Sequence, residues 1–415
     1  MTAPASPLNL TLLGWGIALP VAFLAAVGLA CIHATEANDP VAPLGLTTTP
    51  AVEPQAAVLE RVIQAIGPLT LRQMFYLVTG VLLMLAALVP SYQKIGRWAY
   101  PSYAILLVLL VLLVVDIYVD LPLIPVRNNA RRWLAWGPLS VQPAEFMKVG
   151  LTLTLARYLR FRSSYRSLRG LLPPLILTLV PMVLILREPD LGMMLMLLPV
   201  LFLTLFVAGA RLRHLALIIL LGCATLPVFF IYGMKPYQRD RVLTVIKQNT
   251  ADERWHRGPG YQLRQSKIAL GAGGLTGEGW GRGVFLESRV RLLPEEHNDF
   301  IFAIIGHQFG LVGCVLVILA YGVIVFFGIE VATATNDPFG RLLAIGVVVM
   351  IVAQALLNIG MTVGLAPITG MTLPFVSAGG SSLWANFLAL GLLVNVAQRR
   401  PMLIANPPFE HAEEE

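Results

Sequence analysis

The chain has 415 residues, 57% of them hydrophobic and 13% charged, with 30 Lys and Arg against 23 Asp and Glu for a net charge of +7. A soluble domain carries about a quarter charged residues, so these figures exclude an ordinary water-soluble enzyme and indicate apolar runs that cross a bilayer. On such a chain the location of basic residues says more than their sum, and the excess does not point to nucleic acid. Cys31, Cys223 and Cys314 lie far apart in or beside apolar segments and read as packing residues.

The first apolar run, 11–31, has no Lys or Arg before it and no small-residue cleavage site after it, so it reads as a retained helix. Ten spans are expected in all: 11–31, 73–90, 101–119, 144–160, 171–187, 191–209, 214–233, 299–330, 341–363 and 380–397. The expected fold is therefore all-α, a polytopic membrane protein of about ten transmembrane helices with a large external loop between spans seven and eight. It divides into a first helix with an external insertion (1–72), spans two to seven (73–233), the loop (234–298), and spans eight to ten with a cytoplasmic tail (299–415). Twelve Lys and Arg, among them Lys94, Arg97, Arg162, Arg341 and Arg400, fall on one side in the short loops, against six on the other. By the positive-inside rule both termini are cytoplasmic. Residues 35–57, rich in Pro, Ala and Thr, read as a flexible insertion with no chemistry of its own.

Chemistry concentrates at the outward ends. Arg127, Arg131 and Arg132 break the positive-inside trend, and arginine grips phosphate in a bidentate fork, so a pyrophosphate at the membrane surface is an expected ligand. Pro143 opens the next span, and Glu145 and Lys148, three apart, share a face of its first turns. They form either an anchor for the helix end or a functional pair facing a cavity, and the second weighs more. Arg187-Glu188-Pro189-Asp190 makes a charged tight turn in which Asp190 suits a helix cap. The 234–298 loop holds eleven basic and seven acidic residues, Lys267 among them, and serves either an anionic substrate or the membrane lipids beside it. Gln265–Gly283 is rich in glycine but lacks the ending of a nucleotide-binding loop, so its glycines suggest a sharply bent backbone in close approach to something. Glu295-Glu296-His297-Asn298-Asp299 stands at the mouth of a long apolar helix, with more acidic groups than a helix cap needs. Pro367, Pro374 and Gly379-Gly380 break helical pattern near the same surface, and Ser381 and Ser382 open the last span.

The stretches Arg131–Lys148, Glu188–Gly192, Gln265–Gly283, Leu293–Gly313 and Asn358–Asn395 resemble the SEDS family (shape, elongation, division and sporulation), in the family's order and with its ten-span layout. The resemblance implies a peptidoglycan glycosyltransferase of the bacterial cytoplasmic membrane that polymerises lipid II on the outer face. The 4-hydroxyl of one lipid-linked disaccharide would attack C1 of a muramyl unit, and undecaprenyl pyrophosphate would leave. It places the family's essential aspartate at Asp299 and its span-four pair at Glu145 and Lys148. Arg131, Arg132, Lys267, His297, Ser381 and Ser382 are then candidate substrate-binding residues. Asp299 would act either as general base or as holder of a divalent cation, Mg or Mn, near pyrophosphate, and no dedicated ligand set is visible. The resemblance also implies a class B transpeptidase partner and other elongation or division proteins, with elongation the expected role. His307-Gln308, Ala378 and the long 32–72 loop depart from the family pattern.

Two other functions fit parts of the pattern. Charged spans and broken helices also suit a transporter that flips lipid II, although no inverted repeat is evident. A non-catalytic scaffold would leave the acidic cluster and the external arginines unexplained.

Overall fold

A backbone in hydrocarbon has no water to satisfy its N–H and C=O groups, so apolar runs become helices that satisfy themselves. The computed structural model describes residues 12–37, 66–126, 130–137, 139–162, 164–250, 252–287 and 292–399. Its first half consists of α1 (Leu12–Ala37), α2 (Pro68–Leu88), the short α3 (Tyr92–Arg97), α4 (Ala99–Val119), α5 (Pro143–Leu159), α6 (Leu168–Arg187), α7 (Leu191–Ala208) and α8 (Leu212–Val228). Four shorter helices follow: α9 (Pro236–Ile246), α10 (Glu253–Arg257), α11 (Tyr261–Ala272) and α12 (Val284–Glu287). The chain then returns to long helices, α13 (Ile301–Thr333), α14 (Pro338–Val363) and α15 (Gly380–Gln398). The exception to the helical plan is a small hairpin, β1 (Leu134–Trp136) and β2 (Leu139–Val141), paired antiparallel with Leu134 opposite Val141.

Nine helices among the described residues are long and apolar enough to cross a bilayer. The other expected span is α5, a helix of 17 residues, about 26 Å at 1.5 Å per residue. It carries Glu145 and Lys148 and is buried along most of its length. Such a helix faces protein on all sides, and α5 packs against α4, α7, α14 and α15. Around it, α15 packs chiefly on α2, and α13 on α1 and α14.

One element extends beyond its predicted end for a visible reason. α1 continues to Ala37, where the Glu36 carboxylate accepts from Leu69 N (2.6 Å) and Thr70 N (2.8 Å) and so caps α2 from another helix. The expected insertion at 35–57 lies, beyond residue 37, outside the described residues. α8 ends in a wider turn over Phe229–Gly233.

α13 is not continuous. Gly310 sits at φ 63°, ψ −160° and breaks it, freeing backbone groups on both sides that would be costly left unpaired. The glycine-rich segment satisfies them: Glu278 N and Gly279 N donate to His307 O and Gln308 O, while Leu311 N and Val312 N donate to Gly274 O and Leu275 O. A Cβ at Gly273 would collide with the backbone of Gly306 and His307. The glycines are there because one backbone lies directly on another.

Candidate active site

Every second long helix begins at the same end of the bundle, and the N-terminal ends of α2, α5, α7, α13 and α15 surround a cavity of about 310 Å³. Arg72, Gln73 and Tyr76 come from α2, Glu145 from α5, Asp190 from the cap of α7, His297 and Asp299 from the approach to α13, and Ser382 from α15. Each helix start carries roughly half a positive charge from its aligned peptide dipoles. Five together favour an anion, either a protein carboxylate or a ligand phosphate.

Asp299 lies two residues before α13, and its carboxylate makes no hydrogen bond among the described residues. Burial pushes this carboxyl up to about 7, with Glu295 adding to the effect and Arg241 opposing it. Its backbone is fixed firmly. Ala378 N donates to His297 O (2.9 Å), Ser377 Oγ to Asn298 O (2.6 Å), and Asn358 Nδ2 to Asp299 O (2.9 Å). The broken segment between α14 and α15 thus holds three consecutive carbonyls. Gly370, in that segment, has φ +70°, and a Cβ there would lie 3.3 Å from Asp299 Oδ2 and 3.7 Å from Arg241 Nη1. The carboxylate and the guanidinium therefore flank one glycine.

Beneath the cavity Glu145 meets Lys148 at 2.6 Å. Lys148 is fully buried, and its Nζ also donates to Gln354 Oε1 at 2.7 Å. Gln354 Nε2 in turn donates to Thr372 O (2.9 Å) and reaches Ser382 Oγ (3.3 Å). A polar chain thus runs from the cavity wall through the bundle core to the start of α15. Ser381 plays a different part: it accepts from Gln142 N and donates to Ser140 O, tying the hairpin to α15.

The expected basic residues are not gathered at one wall. Arg131 is occupied by the buried Asp116, at 2.8 Å, and by Asp120. Arg132 clamps the turn before α7, donating to Glu188 O (2.7 Å) and Pro189 O (2.5 Å) and pairing with Asp190 at 3.4 Å. It stands behind the cavity wall. Lys267 donates to Gln248 Oε1 (3.1 Å) in a separate hollow lined by Trp255, His256 and Arg264. Asp190 caps α7 through Met193 N (3.1 Å), as the turn's sequence suggests, and its side chain also lines the cavity. Among the described residues no three of His, Cys, Asp and Glu converge as a metal cage. A divalent cation here would take most of its oxygens from substrate phosphate and water.

Sequence reading did not single out Arg72, Arg241, Gln354, Asn358 and Ser377 as site residues. For Gln354 and Asn358 the signal was available: both are amide side chains inside an apolar span, fully buried in the structure.

The fold and this cavity define a polytopic membrane protein with a charged, anion-favouring site at one end of its bundle. The chain belongs to the cell cycle protein family of FtsW, RodA and SpoVE, whose model matches residues 57–401. It is 34% identical over 337 residues to stage V sporulation protein E of Bacillus subtilis, covering 79% of this chain and 86% of that one. It is 32% identical over 323 residues to peptidoglycan glycosyltransferase MrdB of Escherichia coli, covering 78% and 84%. Among solved structures it matches, at TM-score 0.73 and 28% identity, a chain from work on structural coordination of polymerization and crosslinking by a peptidoglycan synthase complex, covering 95% of this chain and 99% of that one. The rod shape determining protein RodA of Thermus thermophilus matches at TM-score 0.63 and 27% identity, covering 95% and 98%.

Proposed function

We propose that this protein is a peptidoglycan glycosyltransferase that polymerises lipid II at the outer face of the bacterial cytoplasmic membrane, with both termini in the cytoplasm. The observation that carries the reading is Asp299: a carboxylate with no hydrogen bond among the described residues, on a backbone fixed at three consecutive carbonyls, facing a cavity where five helix N-termini meet. A sugar hydroxyl is a weak nucleophile and needs a positioned base as it attacks. Asp299 takes the proton from the 4-hydroxyl of the acceptor disaccharide while the new bond forms at C1 of the donor muramyl unit. The C1–O bond to undecaprenyl pyrophosphate breaks, and the departing charge moves toward the helix starts and Arg72. Glu145 and Lys148 shape the polar floor, with His297 and Ser382 on the walls.

The family relationship and the synthase-complex likeness support a class B transpeptidase partner that cross-links the nascent strand. Elongation is the proposed physiological role.

Purified protein is incubated with lipid II, with and without a divalent cation, and glycan polymer is measured. Polymer from the wild type and none from Asp299→Asn is the expected result. Lipid II translocation with no polymer from the wild type would replace this reading with a transporter.

A further inference from the structure

Joining two lipid-linked disaccharides requires both to reach Asp299 at once. The cavity at the helix starts holds about 310 Å³, the lower end of the range of small-ligand pockets, roughly 300–1,000 Å³. A cavity of that size holds no more than one saccharide-pyrophosphate head. Beyond Gly370 lies a second, more open pocket of about 440 Å³, lined by Tyr237, Arg241, Arg257, Tyr261, Gln262 and Ile368. Arg241 belongs to this pocket and also flanks Gly370 against Asp299. Its guanidinium makes no hydrogen bond or ion pair among the described residues. Tyr237 is 42% exposed and reaches Pro189 O at 3.5 Å, beside the Asp190 turn of the first cavity. Arg257 meets Glu253 only at 3.7 Å, with both side chains mostly exposed. The two hollows are therefore neighbours that meet at Gly370, with Asp299 on the wall of the first and Arg241 on the wall of the second.

We propose that this outer pocket is the acceptor site, a second binding site for a pyrophosphate-linked saccharide; the inference rests on the polymerase reading above. The uncommitted Arg241 and the exposed Arg257, only loosely paired with Glu253, outnumber the one carboxylate on the wall, Asp240, and supply charge-assisted donors for the pyrophosphate. The tyrosine faces offer apolar surface to a sugar ring, with Gln262 available to its hydroxyls. A sugar seated here extends its hydroxyl past Arg241 and Gly370 to the Asp299 carboxylate, while the donor occupies the first cavity.

The test uses the full-length protein and two probes: lipid II, and a lipid II analogue whose 4-hydroxyl is blocked so that it serves only as donor. The wild type is expected to bind two equivalents of lipid II per chain. The Tyr237→Ala/Arg257→Glu double variant, altered only at exposed positions away from Asp299, is expected to bind one. Its affinity for the blocked analogue should equal wild type, while the lipid II concentration for half-maximal polymerisation rises about tenfold or more. Thermal midpoints of the two proteins are compared to show that both are folded. Retention of two equivalents with unchanged saturation overturns the proposal, and so does a parallel loss of the blocked analogue, which would make the two hollows one site. Failure of the wild type to polymerise at all sinks the underlying function instead, which keeps the two failures apart.

Discussion

Asn358 Nδ2 donates to Asp299 O at 2.9 Å and to Met371 O at 2.6 Å, so one buried amide in the last turns of α14 holds the candidate base to the irregular segment that follows. Both bonds use the amide's donors. Asn358→Asp keeps the shape and replaces donors with acceptors facing two carbonyls. A buried hydrogen-bonding group left unpaired costs about 1–3 kcal/mol, and more when charged. Asn358→Asp should lower the thermal midpoint more than Asn358→Ala. Both should slow polymerisation; Asn358→Ala should leave the pH profile in place, whereas the carboxylate introduced by Asn358→Asp should move the ascending limb to higher pH.

The pH profile tests Asp299 itself. With its carboxyl raised to about 7 by burial, the base is unprotonated only above that pH, so kcat/KM should fall as pH drops through about 7. Arg241 pulls in the opposite direction. Arg241→Gln should therefore move the ascending limb to higher pH. A limb that stays in place after this substitution would detach the profile from Asp299. Asp299→Asn should express normally and lose at least about 10²–10⁴-fold in rate.

The Glu145–Lys148–Gln354 chain predicts a specific non-additivity. Lys148→Met leaves Glu145 without its partner, and breaking a buried ion pair from one side costs about 3–5 kcal/mol. The Glu145→Gln/Lys148→Met double variant should recover much of the thermal midpoint yet stay poorly active. If the double variant regained full polymerisation, the pair would be structural only. Gln354→Leu should reduce activity with an intermediate loss of stability, since Lys148 keeps Glu145 but loses one acceptor.

Glu188 predicts an unusual pH dependence of stability. Its side chain is buried, both carboxyl oxygens lack hydrogen-bond partners, and burial with nearby Asp190 pushes the group from an ordinary 4.5 up to about 9. Between those values the folded chain keeps a proton that the unfolded chain has released. Stability from this group therefore falls as pH rises from about 4.5 toward 9 and levels off above. Glu188→Gln should flatten that slope and raise the thermal midpoint most at pH 8. An identical pH slope in the variant would remove Glu188 as its source.

Sidedness is tested by labelling. In a background without Cys31, Cys223 and Cys314, Arg264→Cys and Arg282→Cys should react with an impermeant thiol reagent from outside the cell. Arg166→Cys should not. All three positions are exposed in the structure, so failure to react reports sidedness rather than burial. Outside labelling at 166 would invert the topology.

The sequence carried the helices well because hydrocarbon leaves an apolar run of twenty residues little alternative. It also exposed Asp299, Glu145 and Lys148, since ionisable groups at span ends stand out against their surroundings. Partnership was less legible. Nothing local announces that Arg131 is taken by Asp116, fifteen positions earlier, or that Glu36 caps a helix across the undescribed insertion. Arg241 was one of eleven basic residues in its loop, and only the fold sets it beside Gly370. The glycine-rich segment was legible as a close approach, while its partner, the break at Gly310, lay hidden inside a long run that otherwise reads as one helix.

That break decides what Asp299 is mechanically attached to. Of the four backbone hydrogen bonds around Gly310, two hold the outer piece of α13, Ile301–Phe309, to the glycine segment and two hold the inner piece at Leu311 and Val312. An unbroken helix of this length would pass every tilt imposed by a thicker or thinner bilayer directly to the residue at its tip. With the glycine segment bonded to both pieces, the joint at Gly310 is splinted, and a lean of the inner helix is shared between the tip and the loop. The tip that carries Asp299 therefore moves with residues 273–283 as well as with the helix below it, and whatever grips that segment has a lever on the carboxylate.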